Sequence, residues 1–286
     1  MKKMKKTGFL TLFLVVLLFM SFLARPVHAD LSPFKDVKET DWFFQYVVNL
    51  KKWGIIDGYP DGTFRPDTPV IRKHAAKMIA NATGSSASGE SVNFTDFTSQ
   101  DEMAPYVAAL IKVGAIKGYP DGSFRPDQNI ERGHVCKIVL KAFNLEVKTW
   151  VPDFIDYPKD EEVKEAIGTL GADHIVKGYK TSAGLAFRPA EHVTRAQLAK
   201  ILCLSLAVAM VERADKLRTV WAVDHAQAIV DALPDDQDAT LKYSLNNWLY
   251  DILDAVNSGV FGNHYWRDVE AINRLVDSLQ AQVMRE

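Results

Sequence analysis

Gly58–Asp67 reads GYPDGTFRPD, Gly118–Asp127 reads GYPDGSFRPD, and sixty residues further on Gly178 opens a blurred copy, GYKTSAGLAFRP. A phrase that returns at a fixed period with one change marks one supersecondary unit used three times. The phrase itself is turn chemistry. Pro60 and Pro120 preset φ, Asp61 and Asp121 can bond their own backbone, and Gly62 and Gly122 tolerate positive φ. Loop residues kept alike within one chain serve either a demanding turn or a ligand.

Outward from the phrase, every unit has the same parts. It opens with Phe-x-Asp: Phe34 and Asp36, Phe94 and Asp96, Phe154 and Asp156. A helix is expected next. In the first unit Thr40 or Asp41 caps it, and Trp42, Tyr46, Val47, Leu50 and Trp53 recur at helical spacing. Met103, Val107, Leu110 and Ile111 do the same in the second unit, and Val163, Ile167 and Leu170 in the third. Gly54 and Gly114 stop the helix in a left-handed conformation, a place taken in the third unit by Asp173 or His174. Phe64, Phe124 and Phe187 are expected to fold back from the loop as apolar plugs. A second helix then starts near Arg72, Arg132 and Arg195, with stripes such as Ala75, Ala76, Ile79 and Leu198, Ile201, Leu202.

The expected class is mainly α: helix-loop-helix repeats at 32–84, 92–145 and 152–205, followed by a helical region at 206–286. The Gly/Ser stretch at 84–89 reads as a flexible linker. In the tail, Leu241, Leu245, Trp248, Leu249, Ile252, Leu253 and Val256 form one apolar stripe and Val269, Ile272, Leu275, Val276, Leu279 and Val283 another. They read as the core of about three helices, with a protein partner on these faces as the alternative.

Composition is that of an ordinary globular protein, with 48 % hydrophobic and 24 % charged residues. Residues 1–29 depart from it. Four lysines precede the apolar run Phe9–Ala24, and Val27, His28 and Ala29 follow Arg25 and Pro26, the layout of a secretory signal peptide cleaved after Ala29. An uncleaved anchor is the alternative. Cleavage removes five basic residues and moves the formal charge from −2 to −7. A mildly acidic exported chain, with no membrane segment in its mature form, is a poor binder of nucleic acid. Attraction to an anionic polymer must come from placed cations rather than from net charge. Cys136 and Cys203 each sit in an apolar helical pattern, as buried small hydrophobes or as a disulfide pair.

The repeat resembles the S-layer homology module of bacterial cell-envelope proteins. GIIDGYPDGTFRP with VIRKH, GAIKGYPDGSFRP with IERGH, and HIVKGYKTSAGLAFRP with VTRAQ follow its pattern across roughly residues 32–205. The resemblance implies three helical prongs about a pseudo-threefold axis. It also implies a non-catalytic, cell-surface protein that binds a secondary cell-wall polymer in grooves between adjacent prongs, often one with a pyruvate ketal on an amino sugar. By motif position Arg72, Arg132 and Arg195 inherit the carboxylate-binding role. Gly58, Tyr59 and Asp61, with Gly118, Tyr119 and Asp121, are the loop positions, and Trp42 is the aromatic platform. The chemistry is consistent: Arg offers a planar fork to a carboxylate, a helix N-terminus adds free N–H groups, glycine admits a sugar, and an aromatic ring covers its apolar face. Each assignment has a plainer reading beside it: a solvated arginine, a tyrosine packing its loop, an aspartate capping its turn, a tryptophan in its helix core. The family's Glu after Arg-Ala is replaced by His74, His134 and Gln197, and its Thr before Arg survives only as Thr194.

No cofactor motif is present. The competing class is an exported wall hydrolase drawing on Asp224, His225, Asp235, Asp236, Asp251, Asp254 and His264, yet His-Glu-x-x-His and Gly-x-Ser-x-Gly are both missing. Calcium loops at Asp61 and Asp121 would each bring one acid before Gly, short of the oxygen ladder such a cation requires.

Overall fold

The computed structural model describes residues 32–85, 91–235 and 239–258. The expected leader, most of the Gly/Ser linker and the stripe at 269–283 lie outside those residues. Among the described residues there are eight helices and two short antiparallel hairpins, in the order α1 Phe44–Lys52, α2 Arg72–Thr83, β1 Asn93–Phe94, β2 Phe97–Thr98, α3 Ala104–Lys112, α4 Arg132–Phe143, α5 Glu161–Ala172, β3 Tyr179–Thr181, β4 Gly184–Ala186, α6 Arg195–Leu217, α7 Val220–Asp231 and α8 Ala239–Asn257. The chain is mainly α, as its periodicity requires.

Of the residues that recur at helical spacing, Tyr46, Val47 and Leu50 are fully enclosed in α1, Val107 and Leu110 in α3, and Val163, Ile167 and Leu170 are buried in α5, whereas Trp42 precedes α1 and is exposed and Trp53 and Ile111 are half-buried. Gly54 (φ 68°) and Gly114 (φ 72°) end these helices in the left-handed region, and His174 (φ 58°) takes that place in the third repeat. The expected cap on α1 does not form. The helix begins at Phe44 without a side-chain cap, and Asp41 instead accepts from Lys38 N at 2.7 Å. Thr194 and Gln197 do form a reciprocal capping box on α6.

The repeats close on one another in a ring. Val70 N donates to Val193 O (2.9 Å), Val193 N to Ile130 O (3.1 Å) and Ile130 N to Val70 O (2.8 Å), so three buried apolar residues exchange backbone hydrogen bonds around one axis. Around this axis the second helix of each repeat packs on the first helix of the next: α2 on α3, α4 on α5, and α6 back on α1. Three bundles about a pseudo-threefold axis result, joined by apolar burial and by backbone groups that would otherwise be orphaned.

α6 runs unbroken through the expected boundary at 205/206, because no glycine or proline interrupts Arg195–Leu217. It is buried on nearly all sides, between α1 at its start and α7 and α8 along its far half. A helix apolar all round belongs inside a fold. Leu241, Leu245, Leu249 and Ile252 of α8 are buried as the stripe predicts, and Asn49 of α1 donates to Ala232 O at 2.7 Å, tying the tail to the first repeat. Cys136 and Cys203 form no disulfide and are both buried, and burial pushes the Cys136 thiol up to about 12.

One polar cluster lies under this junction. Lys148 Nζ stands 3.4 Å from Asp173 Oδ1 and 3.3 Å from Glu212 Oε1, while Glu212, only 3 % exposed, also accepts from Glu146 N at 3.2 Å. Asp173 Oδ2 is buried without a hydrogen-bond partner. Burial holds Asp173 up at about 6 against the pull of Lys148, and burial also raises Glu212. One ammonium thus serves two buried carboxylates, and Trp248 of α8 lies 6.0 Å from it.

Candidate polymer-binding grooves

Each loop is held by its own Phe-x-Asp. Asp36 accepts from Phe64 N (2.6 Å) and Arg65 N (2.7 Å), Asp96 from Phe124 N (2.7 Å) and Arg125 N (2.8 Å), and Asp156 from Phe187 N (2.6 Å) and Arg188 N (2.7 Å). The paired bonds hold Arg65, Arg125 and Arg188 at φ 59°, 58° and 61°, a conformation non-glycine residues adopt only under such restraint. Phe64, Phe124 and Phe187 are fully buried against Phe34, Phe94 and Phe154, the plugs the spacing predicts.

The loop aspartates are engaged inside the turn. Asp61 Oδ1 accepts from Thr63 N (3.0 Å) and Thr63 Oγ1 (2.6 Å), and its Oδ2 from Arg65 Nη2 (2.9 Å), with Asp121, Ser123 and Arg125 repeating the set. These hydrogen bonds pull Asp61 well below the usual carboxylate range and Asp121 to about 2. The turn-capping reading of both residues is therefore the one the geometry carries. Gly58 and Gly118 answer to packing first: a Cβ on Gly58 would meet the Phe34 ring, and one on Gly118 would lie 2.6 Å from Phe94.

The arginines that open the second helices reach across to the next repeat. Arg72 Nε donates to Phe124 O (2.9 Å) and Arg132 Nε to Phe187 O (3.3 Å). Arg195 closes the ring with Nε to Phe64 O (2.7 Å) and Nη2 to Asp57 O (2.9 Å). All three are buried, with 6–7 % exposure. The plainer reading, a solvated arginine, is thereby corrected. Each guanidinium also lies by the loop tyrosine of the repeat it reaches, at 5.0 Å from Tyr119, 5.4 Å from Tyr179 and 5.0 Å from Tyr59. Those rings carry a second arginine from their own loop, with Arg65 and Arg125 at 3.8 Å and Arg188 at 4.4 Å. Burial draws Arg72 and Arg195 below their ordinary value without discharging them.

A second correction concerns the helix N-termini. Their first two N–H groups are not free for a ligand: Arg72 N and Lys73 N donate to Gln128 O and Pro126 O, Arg132 N and Gly133 N to Glu191 O and Pro189 O, and Arg195 N and Ala196 N to Thr68 O and Pro66 O, at 2.8–3.0 Å. Ring closure uses them. What remains at each site is the outer edge of a guanidinium.

These edges open into three related cavities of about 240, 220 and 160 Å³. Each draws on all three repeats, where adjacent pairs were expected. Arg72 meets Tyr119, His134 and Lys137 with Asp160 at the rim; Arg132 meets Tyr179, Gln197 and Lys200 with Trp42; Arg195 meets Tyr59, His74 and Lys77 with Met103. Trp42 is 43 % exposed and stands at the Arg132 groove, available as a platform rather than closed into a core. His74 and His134 take the place of the family's Glu, and burial lowers both, leaving neutral imidazoles at pH 7.

The lysines are residues that motif reading missed. They were legible, since Lys77, Lys137 and Lys200 each follow the helix-opening arginine by five positions. Five residues turn a helix by about 140° past a full turn, so the Arg and Lys of one helix face different grooves. Two of the tail residues weighed as hydrolase candidates have local partners: His225 Nδ1 is 2.8 Å from Trp221 O, and Asp235 holds Lys242 at 2.7 Å. Asp236 and His264 lie outside the described residues.

Comparison with known proteins agrees with this architecture. The family model for the S-layer homology domain matches residues 33–76 and 93–136. The chain is 27 % identical to an endoglucanase of Bacillus sp. (strain KSM-635) over 68 % of its own length and 21 % of that protein's. It is 26 % identical to a cellulosome-anchoring protein of Acetivibrio thermocellus, over 61 % of this chain and 39 % of that one. To the surface-layer 125 kDa protein of Lysinibacillus sphaericus it is 26 % identical, over 62 % and 15 %. The chain therefore spans well under two thirds of the relatives it matches. It carries S-layer homology domains at residues 33–76 and 93–136, and Phe154 to Arg195 reproduce their contacts in a third copy.

Proposed function

We propose that this chain is a non-catalytic anchor of the cell surface, holding itself to the wall by binding a secondary cell-wall polymer, with a pyruvate ketal as the anionic group recognised. The carrying observation is the repeated groove: a buried, fixed guanidinium over a tyrosine, a lysine from the second helix of the next repeat around the ring, and an open cavity between them. A preorganised cation loses little entropy on meeting a carboxylate, and a fork of N–H donors suits its geometry. Fixed local cations also explain how a chain of formal charge −2 attracts an anionic polymer. The relatives support a module separable from chemistry, since their names include an enzyme, an anchoring protein and a surface-layer protein. No helix among the described residues is long and apolar enough to cross a membrane. The helices after residue 217 serve in this reading as spacer, cargo or assembly element.

Incubation with purified sacculi is expected to retain the full chain, and chemical stripping of the polymer from those sacculi to release most of it. Equal retention on stripped walls overturns the reading. Clearing of peptidoglycan by the same chain in a zymogram overturns its non-catalytic part.

A further inference from the structure

The three helices that open on an arginine differ two residues further on, where His74, His134 and Gln197 hold one register position of α2, α4 and α6. In α6 the side chain turns back on its own helix start, and Gln197 Oε1 accepts from Thr194 N at 3.0 Å. Neither Ile71 nor Glu131 caps its helix through the side chain, so that reciprocal box has no counterpart in α2 and α4. The half-buried rings of His74 and His134 line the Arg195 and Arg72 grooves instead. His74 shares its groove with Arg195 of α6, Lys77 of its own helix, and Asp57 and Tyr59 of the first loop. Lys73 beside it is held by Asp127 at 3.0 Å and Asp101 at 3.6 Å, and Lys77 by Asp57 at 3.8 Å. His134 shares its groove with Arg72 of α2, Tyr119 of the second loop, Lys137 and Lys141 of its own helix, and Asp160 at the N-cap of α5. Glu131 Oε2 stands 3.8 Å from His134 Nδ1, and Glu162 of α5 engages Lys137 at 2.7 Å and Lys141 at 2.9 Å.

We propose, resting on the anchoring reading, that His74 and His134 couple anion binding in the Arg195 and Arg72 grooves to uptake of a proton, whereas the Arg132 groove, with Gln197 in that place, binds without it. The free grooves favour neutral rings. Burial, and then Lys73, Arg195 and Lys77, hold His74 below its ordinary value, while burial does the same to His134 against the pull of Glu131, with Arg72 and Lys137 adding to it. A ligand carboxylate seated among those cations offsets their field and favours the imidazolium. That carboxylate is itself ionised throughout the range in which histidine titrates. The complex therefore binds more protons than the free chain, so affinity grows as pH falls through the histidine range and the gain is lost as pH rises above the value of the bound state. No imidazole lines the Arg132 groove, which serves as an internal reference.

The test is calorimetric titration of the full chain with a pyruvylated wall fragment released from sacculi, between about pH 8 and pH 5, in two buffers of different ionisation enthalpy so that proton uptake is read directly. Wild-type affinity is expected to rise about tenfold across that range, the effect of one unit of displacement in a coupled group, with proton uptake at its middle. The fragment freed of its ketal should show neither. The double variant His74→Gln/His134→Gln repeats the residue of the third groove and should lose both the rise and the uptake. It retains Asp173, so titration at that carboxylate is common to the two chains. Proton uptake by the wild-type chain is decisive whether or not the variant folds. A wild-type affinity independent of pH, or a folded double variant with the wild-type slope and uptake, overturns the coupling while the anchoring reading stands. A wild-type chain that ignores the fragment at every pH overturns both.

Discussion

Replacing Asp96 with Ala should lower the stability of the folded chain by about 3–4 kcal/mol, measured by urea unfolding with the midpoint and slope both recorded. Its two carboxylate oxygens accept from Phe124 N and Arg125 N at 2.7 and 2.8 Å, and a hydrogen bond to a charged acceptor is worth about 1.5–3 kcal/mol. The loss spreads further than the two bonds. Arg125 is held at φ 58° by this grip, and Phe124 is the plug whose carbonyl receives Arg72 Nε. Freed of Asp96, the loop can relax Arg125 to negative φ only by lifting Phe124 from its place against Phe94. Asp96→Asn, which keeps one acceptor, should recover part of the loss. A decrease below about 1 kcal/mol in the Ala variant would show that the loop holds itself by turn chemistry alone.

Replacing Lys148 with Ala should cost about 3 kcal/mol at pH 7.5 and much less at pH 5, because the variant leaves Asp173 and Glu212 buried without their cation. Burial pulls the Lys148 ammonium down, but Asp173 and Glu212 more than offset it, so the lysine stays charged across this range. The sign follows from the carboxylates. Asp173 has a folded value of about 6 against 3.8 unfolded, so between those values the folded chain binds more protons and stability falls as pH rises. Glu212, also raised by burial, acts in the same direction, and Glu146 adds like charge to both. Without Lys148 both shifts grow and the pH slope steepens. Asp173→Asn removes one of the two competing carboxylates, so it should flatten the slope and raise stability at pH 7.5. Equal losses at pH 7.5 and pH 5 for Lys148→Ala would mean that the lysine acts through its packing alone.

Much of the repeat was legible because it rests on contacts within a few residues. The turn at Pro60-Asp61-Gly62, the left-handed stops at Gly54 and Gly114, and the burial of Phe64, Phe124 and Phe187 follow from local φ preferences and apolar spacing. The roles of the loop aspartates divided on the same ground. Asp61 bonds its neighbours, as its position in a turn suggests, whereas Asp96 meets Phe124 and Arg125 twenty-eight and twenty-nine residues away. Capping by Thr40 or Asp41 failed, since α1 begins only at Phe44 and the Asp41 carboxylate accepts from Lys38 N instead. The break expected at 205/206 failed for a different reason. The repeat ends there as a unit of sequence, but nothing between Arg195 and Leu217 stops a helix.

The period, the helix-loop-helix unit, the plugs and the arginines at helix starts can be read from the residues, because each is encoded within a span that one turn or one helix covers. How the units meet is set by long-range packing. The cyclic bonds among Val70, Ile130 and Val193 join residues about sixty to one hundred and twenty positions apart, and they close only when all three repeats are in place. Closure assigns each arginine to the loop of another repeat, uses the helix N–H groups that looked free, and sets Trp42 beside Arg132 while Glu162 meets Lys137. Those pairings depend on rigid packing of helices about an axis, a long-range property to which no local stretch of residues is sensitive.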